Sequence, residues 1–273
     1  MPGCTVVAFH AHPDDESLLD AGTLARLTDA GHRVVLVFAT AGDLGDVGAD
    51  VLAVDEALAD RRRAEARTSG AALGAAEVVF LGYRDSGHAP GADGTWADGS
   101  WCAAPLDEAV DALTEVLRRL GADLVLADDR NGGYGHPDHV RVHQVAWATS
   151  RALGVPLALA TIDREFLSGG VELARGLGLE VPEGFVPDDL STWYTPHDEI
   201  THTVDVGPVL DRRRASMAAH ATQTTGAPDT VRTLAVFLAL PDEIFALAFS
   251  TEWFVVVDEL PETLHDVFAP AGS

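Results

Sequence analysis

The sequence predicts an α/β protein: a mostly parallel sheet with helices on both faces. Three observations predict it. Short apolar runs alternate with longer segments of helical spacing through residue 161. Each run is continuously apolar, the pattern of a strand covered on both faces. The densest polar clusters follow strands directly, and such sheets bind ligands beyond the carboxyl ends of their strands.

The elements follow in order. Thr5–Phe9 (TVVAF) is the first strand. Leu18–Ala30 places Leu19, Leu24 and Leu27 at helical spacing, with Gly31 as its C-cap. Arg33–Ala39 (RVVLVFA) is the second strand. Asp50–Leu73 is a long Ala/Arg/Glu-rich helix stopped by Gly74. Glu77–Leu81 is the third strand. Leu106–Leu120 is a helix with apolar residues at 106, 110, 113, 117 and 120. Asp123–Ala127 is the fourth strand, Pro137–Leu153 a helix and Val155–Thr161 the fifth strand. This β-α-β-α order defines a Rossmann-like sheet. The pattern weakens beyond about residue 165. Leu179–Glu199 reads as a Pro- and Asp-rich loop, Thr201–Val206 as a strand, Val209–Ala221 as a helix and Thr251–Val257 as a late strand. No repeat or linker interrupts the chain. One domain is expected over residues 1–273, with a core at about 4–165 completed by a C-terminal extension at 166–273.

Composition excludes several classes. All 18 basic residues are Arg, against 43 acidic ones, for a net charge of −25. Without Lys there is no Schiff-base enzyme, no pyridoxal-phosphate enzyme and no Walker-A nucleotide site. The acidity argues against nucleic acid and membrane partners, which reward clustered basic charge. No G-x-S-x-G elbow marks a serine hydrolase. Two cysteines, Cys4 and Cys102, and no signal peptide predict a cytoplasmic protein with reduced thiols.

Two clusters carry the chemistry. His10-Ala11-His12-Pro13-Asp14-Asp15-Glu16 follows the first strand. Asn131-Gly132-Gly133-Tyr134-Gly135-His136-Pro137-Asp138-His139 follows the fourth and includes the only Asn of the chain. Taken singly, His-Pro-Asp is a turn and helix cap. Two such steps after strands of one sheet point to a shared site. Adjacent carboxylates repel, and a bound cation removes that conflict. His12 and Asp15 are three apart, as are His136 and His139, so each pair can face one point. Two His and one carboxylate form a ligand set for a catalytic divalent metal, with a position left for water.

AHPDDE (Ala11–Glu16) with GHPDH (Gly135–His139) resembles the double signature of the zinc-dependent, LmbE-like de-N-acetylases, the PIG-L family. NGGYGHPDH, the RDSG segment (Arg84–Gly87) and AAHATQ (Ala218–Gln223) resemble its actinobacterial mycothiol-pathway branch of deacetylases and amidases. The resemblance implies one zinc ion per chain on His12, Asp15 and His139, although such a ligand set also accepts other divalent metals. It implies Asp14 as the general base, His136 as an imidazolium assisting the oxyanion and the leaving amine, Asp138 as the group orienting a histidine, and Tyr134 at the oxyanion. Arg62 and Asp85 are implied as contacts to substrate hydroxyls. The implied reaction is hydrolysis of an N-acetyl group on a small amino-sugar-type substrate. The alternatives are an amidase of a mycothiol-type thiol conjugate and a deacetylase tailoring an aminoglycoside or other secondary metabolite. The oligomeric state, monomer or homo-oligomer, stays open.

Other residues read less sharply. His10 suits the core or a supporting role, and His143 either a supporting role or the solvent side of its helix. His220 lies in the AAHATQ match and reads as adjacent to the site. His32, His88, His197, His202 and His265 read as surface or loop. The runs Arg61–Arg63 and Arg212–Arg214 read mainly as solvated helix faces. Gly82–Ala104, with Trp96 and Trp101, is long for a connection and reads as a substrate wall or as packed loop.

Overall fold

The structure, a computed structural model, describes residues 3–48, 51–176, 178, 181, 186–187, 189–225 and 232–271. Five strands build its parallel half: β1 (Thr5–His10), β2 (Arg33–Thr40), β3 (Glu77–Tyr83), β4 (Leu124–Asp128) and β5 (Leu157–Thr161). Three later strands, β6 (His202–Asp205), β7 (Thr251–Val256) and β8 (Ala269–Pro270), extend the same sheet. The order is β3-β2-β1-β4-β5-β7-β6-β8. The first five are parallel neighbours, and β7 joins β5 antiparallel.

Helices cover both faces because strand residues alternate between them. Val6 and Ala8 of β1 face one way and pack with Leu24, Leu27, Ala66 and Leu73. Those four belong to α2 (Ala21–Asp29) and α3 (Leu58–Leu73). Val7 and Phe9 face the other way and pack with Leu113, Leu117, Val142 and Val145. These come from α4 (Leu106–Leu120) and α5 (Pro137–Leu153), whose bounds match the sequence reading.

Three differences have physical causes. The helix expected at Leu18–Ala30 is two, α1 (Asp15–Leu19) and α2, broken at Asp20, whose carboxylate is buried 3.2 Å from His10. α3 starts at Leu58 and not at Asp50, which lies outside the described residues. Asp55 adopts left-handed backbone there, and Glu56 bonds back to the Ala53 N–H, so a turn precedes the helix. α6 (Arg164–Gly176) was not expected, since its Gly169-Gly170 pair reads as a breaker and none of its residues is buried. Asp163 starts it by accepting from the Glu165 and Phe166 N–H groups. The expected loop at Leu179–Glu199 falls partly outside the described residues, and its described part holds one 3-10 turn at His197–Glu199.

Four further helices lie on the C-terminal side: α7 (Leu210–Ala219), α8 (Ala221–Thr224), α9 (Thr233–Leu238) and α10 (Asp242–Phe249). Met217, Leu234, Phe245 and Phe249 join α7, α9 and α10 in a small core of their own. Among the described residues, no helix is long and apolar enough to cross a membrane.

Candidate metal centre and active site

The chain leaves β1 toward β2 and β3 on one side, then returns to lay β4 on the other side of β1. Strand order therefore reverses between β1 and β4, which pair from Val6↔Leu124 to Phe9↔Ala127. Both histidine-rich clusters begin where these two strands end, at the crevice that such a reversal opens.

The second loop is held by its own polar groups. Asp129 accepts from the Asn131 and Gly133 N–H groups, and the Asn131 amide donates to the Tyr194 carbonyl. His136 is the N-cap of α5: its Nδ1 accepts from the Asp138 N–H at 3.2 Å. That bond leaves the ring proton on Nε2. Pro137 follows in the first turn, where its missing N–H costs nothing.

The imidazoles of His12 and His139 are oriented by carboxylates. His12 Nε2 lies 3.1 Å from Asp138 Oδ2, which turns Nδ1 toward Asp15 Oδ2 at 3.7 Å. His139 Nδ1 lies 3.0 Å from Asp128 Oδ2, which turns Nε2 toward Asp15 Oδ1 at 3.4 Å. His139 Nε2 is buried and accepts or donates no hydrogen bond among the described residues. Carboxylate-held imidazoles that aim their other nitrogen at a third ligand are the usual arrangement around a metal ion. Nitrogen atoms of His12, His136 and His139 also gather within 4.8 Å of one another, as do ligand atoms of His12, Asp85 and Asp138. Burial disfavours charge on His12 and His139, yet the surrounding carboxylates outweigh it and raise both rings above their ordinary range. So much negative charge around two imidazoles favours a cation between them. Asp15 faces His12 Nδ1 and His139 Nε2, while Asp138 and Asp85 lie on the opposite nitrogen of His12.

Asp14 stands beside this trio in a left-handed conformation, φ 111°. Its N–H donates to Glu16 Oε2 at 3.0 Å, and its carbonyl accepts from Ser17 N and Oγ. Glu16 is itself fully buried, between Ser69 Oγ at 2.5 Å and His220 Nε2 at 2.7 Å. Burial opposes its charge, but His220 and Ser69 outweigh it and hold the carboxyl down at about 2. Arg62 Nη2 reaches Asp14 Oδ1 at 3.1 Å and also donates to the Pro13 carbonyl, while Nη1 donates to the Gly42 carbonyl. Gly42 has φ +62°, and a Cβ there would overlap the Arg62 guanidinium. Burial and the Asp15 charge push the Asp14 carboxyl up to about 6, against the pull of Arg62. A carboxylate so tuned accepts a proton near neutrality.

Burial, then the charges of His12 and His139, push the His136 ring down to about 3. Tyr134 lies across His136 and His139, ring centroids 5.9 and 5.7 Å away. Asp85 accepts from the Gly87 N–H, and His12 outweighs burial to hold its carboxyl below the usual range. His12, Asp85, Tyr134 and His136 line a cleft of about 520 Å³ together with Trp193, Tyr194 and Phe237.

Several residues escaped the sequence reading. Asp128 orients His139, although it follows an apolar run that looked purely structural. Glu16 was seen only as surplus charge. His88 lines the cleft, its ring 4.7 Å from His136, and is no idle loop residue. His32 is buried, accepting from the Cys4 N–H, so its surface placement is corrected too. Trp101 forms no substrate wall: it is fully buried and donates to the Asp138 carbonyl. Asp85, Gly87 and His88 are what the long loop contributes to the cleft. Arg62 and Arg213 are buried, whereas their half-buried neighbours in the two Arg runs pair with nearby acids.

Comparison with known proteins identifies the family. The family model for GlcNAc-PI de-N-acetylase, PIG-L, matches residues 7–150. A 1D-myo-inositol 2-acetamido-2-deoxy-alpha-D-glucopyranoside deacetylase of Nakamurella multipartita is 39% identical over 260 residues, covering 89% of this chain and 83% of the relative. A protein of the same description from Acidothermus cellulolyticus is 34% identical, covering 93% and 88%. Among solved structures, N,N'-diacetylchitobiose deacetylase from Pyrococcus horikoshii superposes with TM-score 0.59 at 20% identity, covering 96% and 85%. The 4-carboxy-2-hydroxymuconate hydratase GalB from Pseudomonas putida superposes as well, with TM-score 0.58 at 16% identity, covering 94% and 98%. A fold shared with a hydratase does not by itself fix the reaction. Sequence does fix the kinship: the chain belongs to the PIG-L, GlcNAc-PI de-N-acetylase family.

Proposed function

We propose that the protein is a metal-dependent N-deacetylase of a small amino-sugar-type substrate, with zinc as its metal, His12, Asp15 and His139 as the ligands and Asp14 as the base. One observation supports the reading: at the strand-order reversal the Asp15 carboxylate lies 3.7 Å from His12 Nδ1 and 3.4 Å from His139 Nε2, and its chain neighbour Asp14 lines the cleft beside it. A divalent ion held there supplies Lewis acidity, which acidifies water and polarises a carbonyl oxygen.

The side chains do the rest. Asp14 takes a proton from the attacking water and returns it to the departing amine, because an amide nitrogen leaves poorly as an anion. His136 donates from Nε2 to the carbonyl oxygen as that oxygen gains charge, and the Tyr134 hydroxyl stands ready for the same task. Asp138 and Asp128 keep the two imidazoles turned. Arg62 and Asp85 contact substrate hydroxyls at the cleft wall. Arg62 is already committed to Asp14 and two carbonyls, so its larger task is to steady the base. We read residues 1–273 as one domain, supported by the last three strands continuing the sheet of the first five. A cytoplasmic site of action completes the reading, since the unbonded Cys4 and Cys102 suit a reducing compartment.

A second reading, an amidase of a larger thiol conjugate, draws on a separate feature. An apolar pocket of about 200 Å³ adjoins the cleft and shares Leu18, Ile162, Leu167 and Phe237 with it. An acetylated sugar does not need that space. One assay tests both: release of carboxylate from N-acetylglucosaminyl-inositol, an acetylated aminoglycoside intermediate and a thiol conjugate, with and without chelator. Chelator-sensitive acetate release from the sugar is expected. Cleavage of the conjugate alone replaces the first reading with the second, and no cleavage of any rejects both.

A further inference from the structure

A row of four buried polar side chains runs behind the cleft. His139 Nδ1 meets Asp128 Oδ2 at 3.0 Å, His10 Nδ1 lies 3.7 Å from Asp128 Oδ1, and His10 Nε2 lies 3.2 Å from Asp20 Oδ1. His10 and Asp20 are fully buried, and Asp128 is 1% exposed. His10, Asp20 and Asp128 are not among the residues that line the cleft. Burying two carboxylates and an imidazole is costly compared with apolar side chains of similar size. Phe38, whose ring is 6.3 Å from His10, shows that this layer accepts apolar groups.

The two ligand imidazoles are held differently. Asp138, which turns His12, is fixed from outside by the Ser86 N–H at 3.0 Å and the Cys102 thiol at 3.1 Å. Asp128, which turns His139, has no such anchor. Among the described residues, no backbone N–H or hydroxyl donates to either of its oxygens. Its side chain touches two imidazoles, His139 on one oxygen and His10 on the other. The far nitrogen of His10 lies 3.2 Å from Asp20 Oδ1, and among the described residues neither the His10 ring nor the Asp20 carboxylate hydrogen-bonds to any other group. That carboxylate is aimed inward by the break between α1 and α2, the former beginning at Asp15 itself.

We propose that His10 and Asp20 are positioning residues of the metal centre: they fix the Asp128 carboxylate, and through it the direction of His139 Nε2. The proposal rests on the reading that His12, Asp15 and His139 hold a divalent ion. The helix break at Asp20 then serves the site, because it supplies the carboxylate that ends the row.

The test compares metal-free wild type with Asp20→Asn and with the paired change His10→Leu, Asp20→Leu. The pair removes both polar groups together, which protects the fold if the single change harms it. Zinc affinity is measured by competition with a chromogenic chelator, the visible spectrum is recorded on the cobalt(II)-loaded proteins, and folding is followed by circular dichroism of the metal-free forms. Zinc binding about tenfold weaker in the folded variants, with shifted cobalt bands, is expected. Wild-type zinc affinity and unchanged cobalt bands in a folded variant overturn the proposal, including the case in which only the metal-free melting temperature falls. Failure of wild type itself to bind zinc or cobalt rejects the metal reading on which the proposal rests.

Discussion

At the scale of single residues, Asp14 concentrates most of the argument. The motif picked it out, but its left-handed backbone, its Glu16 anchor and its Arg62 partner appear only in three dimensions. Asp14→Asn removes the base and leaves the three ligands in place. Zinc content is expected to stay near one per chain while kcat falls at least about a hundredfold, the usual worth of a general base. Unchanged turnover with metal retained rejects the assignment. Arg62 gives a signed pH test. Its positive charge favours the ionised form of Asp14, whose carboxyl burial and Asp15 lift to about 6. Arg62→Met removes that pull, so the carboxyl rises further and the base is disarmed at higher pH. The acid limb of kcat/KM is expected to move up by about one unit. A limb that stays or moves down contradicts the pairing. Arg62 was legible as a site residue but not as a partner of the base, since 48 positions separate it from Asp14.

At the scale of elements, legibility followed burial. α4 and α5 were read to the residue because their apolar positions recur at helical spacing and cover a sheet face. α6 has no buried residue, yet Phe166, Leu167, Val171 and Ala174 recur at helical spacing along the apolar pocket, a trace that the Gly169-Gly170 pair masked. The break at Asp20 was invisible because Leu19, Leu24 and Leu27 keep helical spacing across it. The loop between β4 and α5 carries its own prediction. Gly132 has φ +62°, and a Cβ there would sit 2.6 Å from the Val140 N atom, which is backbone and cannot swing away. Gly132→Ala is expected to cost about 2 kcal/mol, from left-handed strain and the clash together. Thermal unfolding should show a melting temperature lower by several degrees. An unaltered melting temperature means that the loop relaxes freely and does not hold His136 and His139 rigidly.

At the scale of the whole molecule, the proposed ligand set would bind the chain's distant parts together. His12 and Asp15 come from one side of the strand-order reversal and His139 from the other, so only the folded protein assembles all three. Metal binding is then folding energy. Zinc at a hundredfold excess over its dissociation constant should stabilise the fold by about 2.7 kcal/mol, and chelator should remove that gain. A melting temperature indifferent to zinc and chelator contradicts the site. The C-terminal strands are tied on by another buried pair. Arg213 of α7 meets Glu252 of β7 at 3.0 Å, and Glu252 also accepts from Gly22 and Thr23 at the start of α2. Arg213→Met leaves that carboxylate buried without its cationic partner, and a loss of about 3–5 kcal/mol in denaturant unfolding is expected. A loss under about 1 kcal/mol shows that the pair contributes little.

The sequence alone determined the sheet, its parallel half and the two histidine-rich loops. Apolar periodicity is a local property, and so are the His-Pro-Asp steps that mark strand ends. Tertiary structure decided which carboxylate serves which imidazole, that His88 joins the cleft while Trp101 leaves it, and that Asp20 reaches His10. Each of these depends on burial and on distances between segments remote along the chain. Spacing in sequence encodes neither, because a side chain's charge and direction are set by neighbours that only packing brings within a few ångströms.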